Sequence, residues 1–271
     1  MGFLQNLRRK RAQKKQLGKM PKEINFLFER HSAKGVADKT IKAMKEHDII
    51  LLEYTPETMK LIENLGPTKA ASHVRYPEEE NKLFREVLKQ KRLHGKKIIF
   101  YDKWNRKMKR KMEEIEQKAD EGDIIGMQKA MAEFAEMRDK ENIKRIRKAI
   151  EENPEKKILI SAGATHSPLY HELKKELKPY EKQGKVKINR SFSGGKSERE
   201  MKFNPLEQIV RMFRFKKNIT PEDWKKIHQM EKEARKLIEK QEKLIEKYMK
   251  EEGLSKKQAI AKAHWETIKE E

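Results

Sequence analysis

The sequence predicts an α/β fold: a mainly parallel sheet of about five strands flanked by helices, with a long helical insertion and an all-helical C-terminal extension. Three observations predict it. Short apolar runs bounded by polar residues recur at 24–28, 48–52, 97–101, 157–161 and 186–188, the length and pattern of buried strands. Between them the apolar residues fall at helical spacing, as in Val36, Ile41 and Met44, then Leu83, Val87 and Leu88, then Ile143, Ile146 and Ile150, then Leu169, Leu173 and Leu177. Strand and helix in alternation imply parallel pairing, because a crossover helix returns the chain to the same end of the sheet.

The remaining elements follow in chain order. Residues 1–22 form an arm with eight Lys/Arg and no acid. The α/β unit spans 23–203, and within it residues 103–152 are too long for a simple crossover. Asp120, Glu121, Gly122 and Asp123 break that insertion into two helices, the first carrying Met108, Met112 and Ile115. The extension, 204–271, opens at Asn204-Pro205 and holds a helix with Thr220 as N-cap, Pro221 in the first turn and Glu222 and Asp223 behind them. Ile227, Met230, Ala234, Leu237, Gln241, Leu244 and Tyr248 give this helix a heptad seam. A last helix, capped by Ser255 and carrying Ile260, Ala263 and Ile268, is the expected partner, which makes the chain a monomer with its seam satisfied internally.

Composition limits the function classes. The longest aliphatic run is four residues, 49–52, far short of the ~20 needed to span a bilayer, so no transmembrane segment is expected. Cysteine is absent, which excludes disulfides, thiolate metal sites and cysteine nucleophiles, and makes a reducing, cytoplasmic location the expectation. The net charge is +22, concentrated in residues 1–22, 89–111 and 185–217, which carry +8, +10 and +7. Such stretches suit nucleic acid or an anionic membrane surface, through counterion release or surface potential.

In parallel sheets ligands collect at the carboxyl ends of the strands. Strand one runs into Glu29, Arg30, His31 and Ser32, strand two into Glu53, and strand four into Gly163, Ala164, Thr165, His166 and Ser167. Two imidazoles and a carboxylate at one sheet edge have the donor chemistry for a divalent metal ion with an open position for water. The side chains of His31, Glu53 and His166 are therefore expected within about 8 Å of one another.

The stretch from Phe26 to Glu53, FLFERHSAKGVADKTIKAMKEHDIILLE, resembles the opening of the TraB/PrgY pheromone-shutdown family, in which a strand ends in a Gly-Thr-Ala-His-like motif and the next strand ends in Glu. Arg138-Asp139-Lys140 with Asn142 is similar to the family's Arg-Asp/Asn helix, and KKILISAGATH to its second strand and Gly-x-x-His motif. The resemblance covers roughly residues 24–178 and extends to the Tiki and GumN proteins and the erythromycin-esterase-like (EreA/ChaN-like) fold. It implies a metal-dependent hydrolase acting on a peptide or another small molecule. His31, Glu53 and His166 match the metal positions, Glu53 serves as ligand or general base, and Arg138 anchors a substrate carboxylate or oxyanion. Gly163 would supply the close turn before the second His. The chain departs from the family at Phe28, where the family places Gly, and at Arg30, whose cation beside His31 would be offset by Glu29. It also lacks the family's usual C-terminal transmembrane helices.

Overall fold

A computed structural model describes residues 20–29, 35–72, 77–193 and 203–269. Five strands, β1 (Glu23–Glu29), β2 (Ile49–Leu52), β3 (Lys97–Phe100), β4 (Lys157–Gly163) and β5 (Lys187–Phe192), form one sheet in the order β3-β2-β4-β1-β5. Every pairing is parallel, with Ile24 opposite Ile158 and Ile188, and Ile50 opposite Leu159 and Ile98. The predicted α/β architecture is thus the observed one. The fifth strand is longer than its apolar run because β5 is an edge strand. Asn189, Arg190 and Ser191 pair along it while facing partly or fully outward, so alternation with polar residues masks it.

Strand alternation sends side chains to two cores. Ile24, Phe26 and Phe28, with Ile49, Leu51, Ile158 and Ile160, pack on one face. Against them lie α6 (Ile124–Glu151), through Ile143, Ile146 and Ile150, and α7 (Ser167–Lys182), through Leu169, Leu173 and Leu177. Leu27, Ile50, Leu52 and Leu159 face the other way, onto α1 (Val36–Lys45), α2 (Pro56–Leu65), α3 (Pro67–Ala71) and α4 (Pro77–Arg92). Met44, Ile62, Phe84 and Val87 fill this second layer.

The insertion is a helical hairpin. α5 (Arg106–Asp120) and α6 are joined at Glu121, Gly122 and Asp123, where Gly122 holds φ +70 and Asp123 caps α6 through Gly126 N. With 28 residues, α6 is about 42 Å long, whereas the seven residues of β4 cover about 23 Å. Only its C-terminal half lies on the sheet. The N-terminal half overhangs the carboxyl ends of the strands and packs against α5 through Ala130, Phe134, Met108 and Ile115.

The extension folds back within the chain. α8 (Pro205–Phe215) packs on α6, α9 (Pro221–Glu251) on α8, and α10 (Lys256–Lys269) on α9. Ile227, Ala234 and Tyr248 of the seam are buried, and Leu237 and Leu244 are half-buried. One expected pairing differs: Ile260 is 45% exposed, and Tyr248 is met by Ala259 and Ala263. Small residues let two helices approach closely, so α10 turns its alanine face inward. The side chain of Ile268 lies outside the described residues.

Asn204 and Thr220 each form a reciprocal capping box, with Glu207 and Asp223 respectively. The Lys216 ammonium, and next the Thr220 backbone N–H, hold the Asp223 carboxyl down at about 2. A carboxyl depressed in the folded state stabilises above its unfolded pKa of about 4 and loses that contribution as pH falls toward 2. The α8–α9 corner should therefore loosen across this window. Amide exchange at residues 216–226 would show it, and Asp223→Asn should flatten the profile.

The two internal basic stretches are each divided by a strand. Lys89, Lys91, Arg92 and Lys96 precede β3, while Lys103, Arg106, Lys107, Lys109 and Arg110 follow it at the opposite sheet edge. Lys185 and Lys187 open β5, and Arg211, Arg214, Lys216 and Lys217 lie in and after α8. Residues 1–19 of the N-terminal arm lie outside the described residues. Among the described residues no helix is long and apolar enough to cross a membrane.

Candidate active site

The carboxyl ends of β2, β3 and β4 bring together charged residues that are far apart in sequence. Glu53 follows β2 directly, Asp102 stands two residues after β3, and His166 ends the single 3-10 turn that continues β4. Odd-numbered side chains of β2 face the α6/α7 layer, as Ile49 and Leu51 do, and this alternation turns Glu53 toward α6. Three residues of one α6 turn, Arg138, Asp139 and Asn142, meet the strand-end groups there.

Among the described residues, Glu53 is held from three directions. Its Oε2 accepts from the Gly163 backbone N–H at 2.6 Å, and its Oε1 accepts from Arg138 Nη2 at 2.6 Å. The same Oε1 lies 2.9 Å from His166 Nε2. Arg138 also donates from Nε and Nη2 to Asp102, at 3.1 and 2.7 Å, and Asp102 further accepts from Asn142 Nδ2 and Trp104 Nε1. On the far side of the imidazole, His166 Nδ1 meets Asp139 Oδ1, and Arg214 Nη2 donates to Asp139 Oδ2. One continuous line results: Asp102, Arg138, Glu53, His166, Asp139, Arg214.

Most of this line is buried, with the Arg138 side chain 16% exposed. The side chains of Glu53, Asp102, His166 and Arg214 are 7%, 5%, 3% and 3% exposed. Burial works against the charge on Arg138, but Glu53 and Asp102 outweigh it and hold its pKa above the ordinary guanidinium value. Arg214 shows the opposite balance. Burial, only partly offset by Glu53 and reinforced by Arg138, pulls it down to about 10. Beneath the line, Tyr101 is fully buried and donates to Ser161 O at 2.8 Å. Burial first, then the nearby Glu53 and Asp102 carboxylates, pushes its phenol well above the usual range, so it stays neutral.

The sequence-predicted residues divide as follows. Glu53, Arg138 and His166 converge with direct contacts, and the Glu53–His166 pair lies well inside the 8 Å expected. His31 and Arg30 lie outside the described residues. Gly163 joins the site through its N–H; its φ of −58° is ordinary backbone, and the turn falls on the residues after it. Glu29 stands apart. Buried on the opposite face of the sheet, its Oε1 accepts from Thr40 Oγ1 and, at 2.7 Å, from Ser161 Oγ.

Arg138 is engaged by two carboxylates of its own chain, which makes it a clamp that orients Glu53. Asp102, Asp139 and Arg214 are the members that sequence reasoning did not assign. Asp102 satisfies the same strand-end rule that singled out Glu53, and Asp139 is the neighbour of Arg138, so both carried a signal. Arg214 carried none.

Each His166 nitrogen faces a carboxylate oxygen. A neutral ring can donate to only one of these two oxygens, from Nδ1 to Asp139 or from Nε2 to Glu53. Metal ligands about 2.1 Å from an ion and 2.9 Å apart subtend about 90° at it. The Asp139 carboxylate behind Nδ1 is the outer-shell partner that metal-binding histidines usually have. Glu53 and His166 thus fit as two ligands, although no group of three His/Asp/Glu suited to a metal occurs among the described residues. Comparison of the chain with protein-family models, with curated proteins and with solved structures finds no match in any of the three.

Proposed function

We propose that the chain is a TraB/Tiki-type hydrolase that works with a divalent metal ion at the carboxyl edge of its sheet and cleaves peptides or another small substrate. The observation that carries this reading is the 2.9 Å contact of His166 Nε2 with Glu53 Oε1, each partner held from behind, by Asp139 on one side and by Arg138 and Gly163 N on the other. These are the positions that the resemblance assigns to metal and catalysis, and they meet although 110 residues separate Gly163 from Glu53. The ion would supply activation of water near neutral pH. Glu53 and His166 would hold it, Glu53 serving alternatively as general base toward water, and Asp139 and Arg138 would fix the two. His31 is the third ligand in this proposal. An intrachain extension supports a monomer, and the cysteine-free sequence supports the cytoplasm.

Metal analysis after equilibration with Zn²⁺, Mn²⁺ or Co²⁺ tests the proposal. The wild type should retain one ion per chain, and His166→Ala should lose affinity by more than the roughly 10- to 100-fold typical of an outer-shell partner. A wild type that retains none of the three would overturn it.

A second reading, binding to nucleic acid or an anionic surface, is favoured by Lys103, Arg106, Lys107, Lys109 and Arg110. All five are exposed, none has an ion pair among the described residues, and four of them sit at a helix N-terminus where the dipole disfavours cations. It stands second because both internal basic stretches are split between opposite edges of the sheet.

A further inference from the structure

Arg214 reaches the site from outside the α/β unit. Its helix, α8, belongs to the C-terminal extension and packs on α6 at the level of Asp139. The guanidinium is buried, yet only Nη2 is used: Nε and Nη1 have no partner among the described residues. Burial holds it near 10, well below a guanidinium in water. A helix docked for stability alone would place an aliphatic side chain at such a point, since a half-satisfied buried cation is among the costliest groups to hold. Three residues earlier, Arg211 Nη1 approaches Ala164 O at 3.5 Å, in the turn that carries His166, so α8 touches both supports of that imidazole.

We propose that Arg214 is a positioning residue: it fixes the Asp139 carboxylate on His166 Nδ1, and the C-terminal extension thereby completes the strand-end site. The proposal rests on the reading above that His166 is a working residue of that site. Asp139 has two oxygens, and the ring orientation is defined only if the carboxylate cannot rotate. Arg214 on Oδ2 blocks that rotation, leaving Oδ1 for the ring and Nε2 aimed at Glu53.

The test uses ring ¹H–¹⁵N spectra of His166 in the full chain without metal, for wild type, Arg214→Met, Arg214→Gln, Arg214→Lys and Asp139→Asn. The neutral Arg214 variants should move the His166 ring signals toward those of Asp139→Asn and speed exchange of the Nδ1 proton about tenfold or more. Arg214→Lys should return the signals toward wild type. Zn²⁺ affinity should fall about tenfold in the neutral variants if the hydrolase reading also holds. Wild-type ring signals in a folded Arg214→Met or Arg214→Gln, with Asp139→Asn clearly shifted, would overturn the proposal. Loss of the fold in both neutral variants would overturn it too, by making Arg214 structural. A wild type that binds no metal but shows the expected ring changes would end the hydrolase reading and leave the positioning role standing.

Discussion

Arg138→Met is expected to lower the unfolding free energy by about 3–5 kcal/mol, the cost of removing one partner from a buried ionic network. Methionine keeps most of the side-chain volume, so the loss is one of charge. It leaves Glu53 and Asp102, 7% and 5% exposed, without the cation that both now share. Glu53 retains Gly163 N, and Asp102 retains Asn142 and Trp104, which argues for the lower part of that range. Urea unfolding followed by circular dichroism measures it. Adding Asp102→Asn should cost less than its effect alone, because both changes act on one charge balance. A cost below about 1 kcal/mol would mean that water screens the network as it does a surface pair.

Phe26→Ala has the other large effect, about 3–5 kcal/mol. Phe26 is completely buried, stacked on Phe28 at 6.0 Å and edge-on to Tyr170 at 5.3 Å. The neighbours are a central strand and the helix that begins just after His166, and neither can collapse into the void without breaking its own pairing. Tyr170 is only four residues from His166, so the variant should also loosen the imidazole. Equilibrium unfolding reads the first consequence, and line broadening of the His166 ring signals the second. A cost under about 1.5 kcal/mol would show that α7 repacks freely and that its position does not set the site.

Most of the sheet was legible because its strands are buried on both faces and read as continuous apolar runs. β5 was partly hidden, since an edge strand needs only one apolar face. Glu53 and His166 were legible for a topological reason: in a parallel sheet, residues after the strands share an edge whatever their sequence separation. Asp102 obeys that rule too, but it sits in a run of lysines and arginines, where one acid reads as dilution of charge. Glu29 obeys it as well but faces the opposite layer, and a strand end alone does not say which face a side chain takes. Arg214 was beyond reach. Its neighbours Met212, Phe213 and Phe215 give α8 an amphipathic pattern that names an apolar face, without saying that the helix returns to α6.

The overhang of α6 has a consequence for how sequences of this kind can vary in length. Arg138, Asp139 and Asn142 occupy one turn that must meet Glu53, Asp102 and His166, and the same rigid rod sets Ile143, Ile146 and Ile150 against the sheet. One residue inserted between 138 and 150 rotates everything on one side by about 100° and translates it by 1.5 Å, which separates the charged turn from the apolar one. Nearer the bend at Gly122, the hairpin meets α9, where Arg235 Nη2 donates to Gly122 O at 3.4 Å, and no longer the sheet. Residues can be gained or lost there in matched turns on α5 and α6 without either the sheet or the charged line registering the change. Gaps among related sequences should therefore cluster around 113–130 and be absent from 138–150.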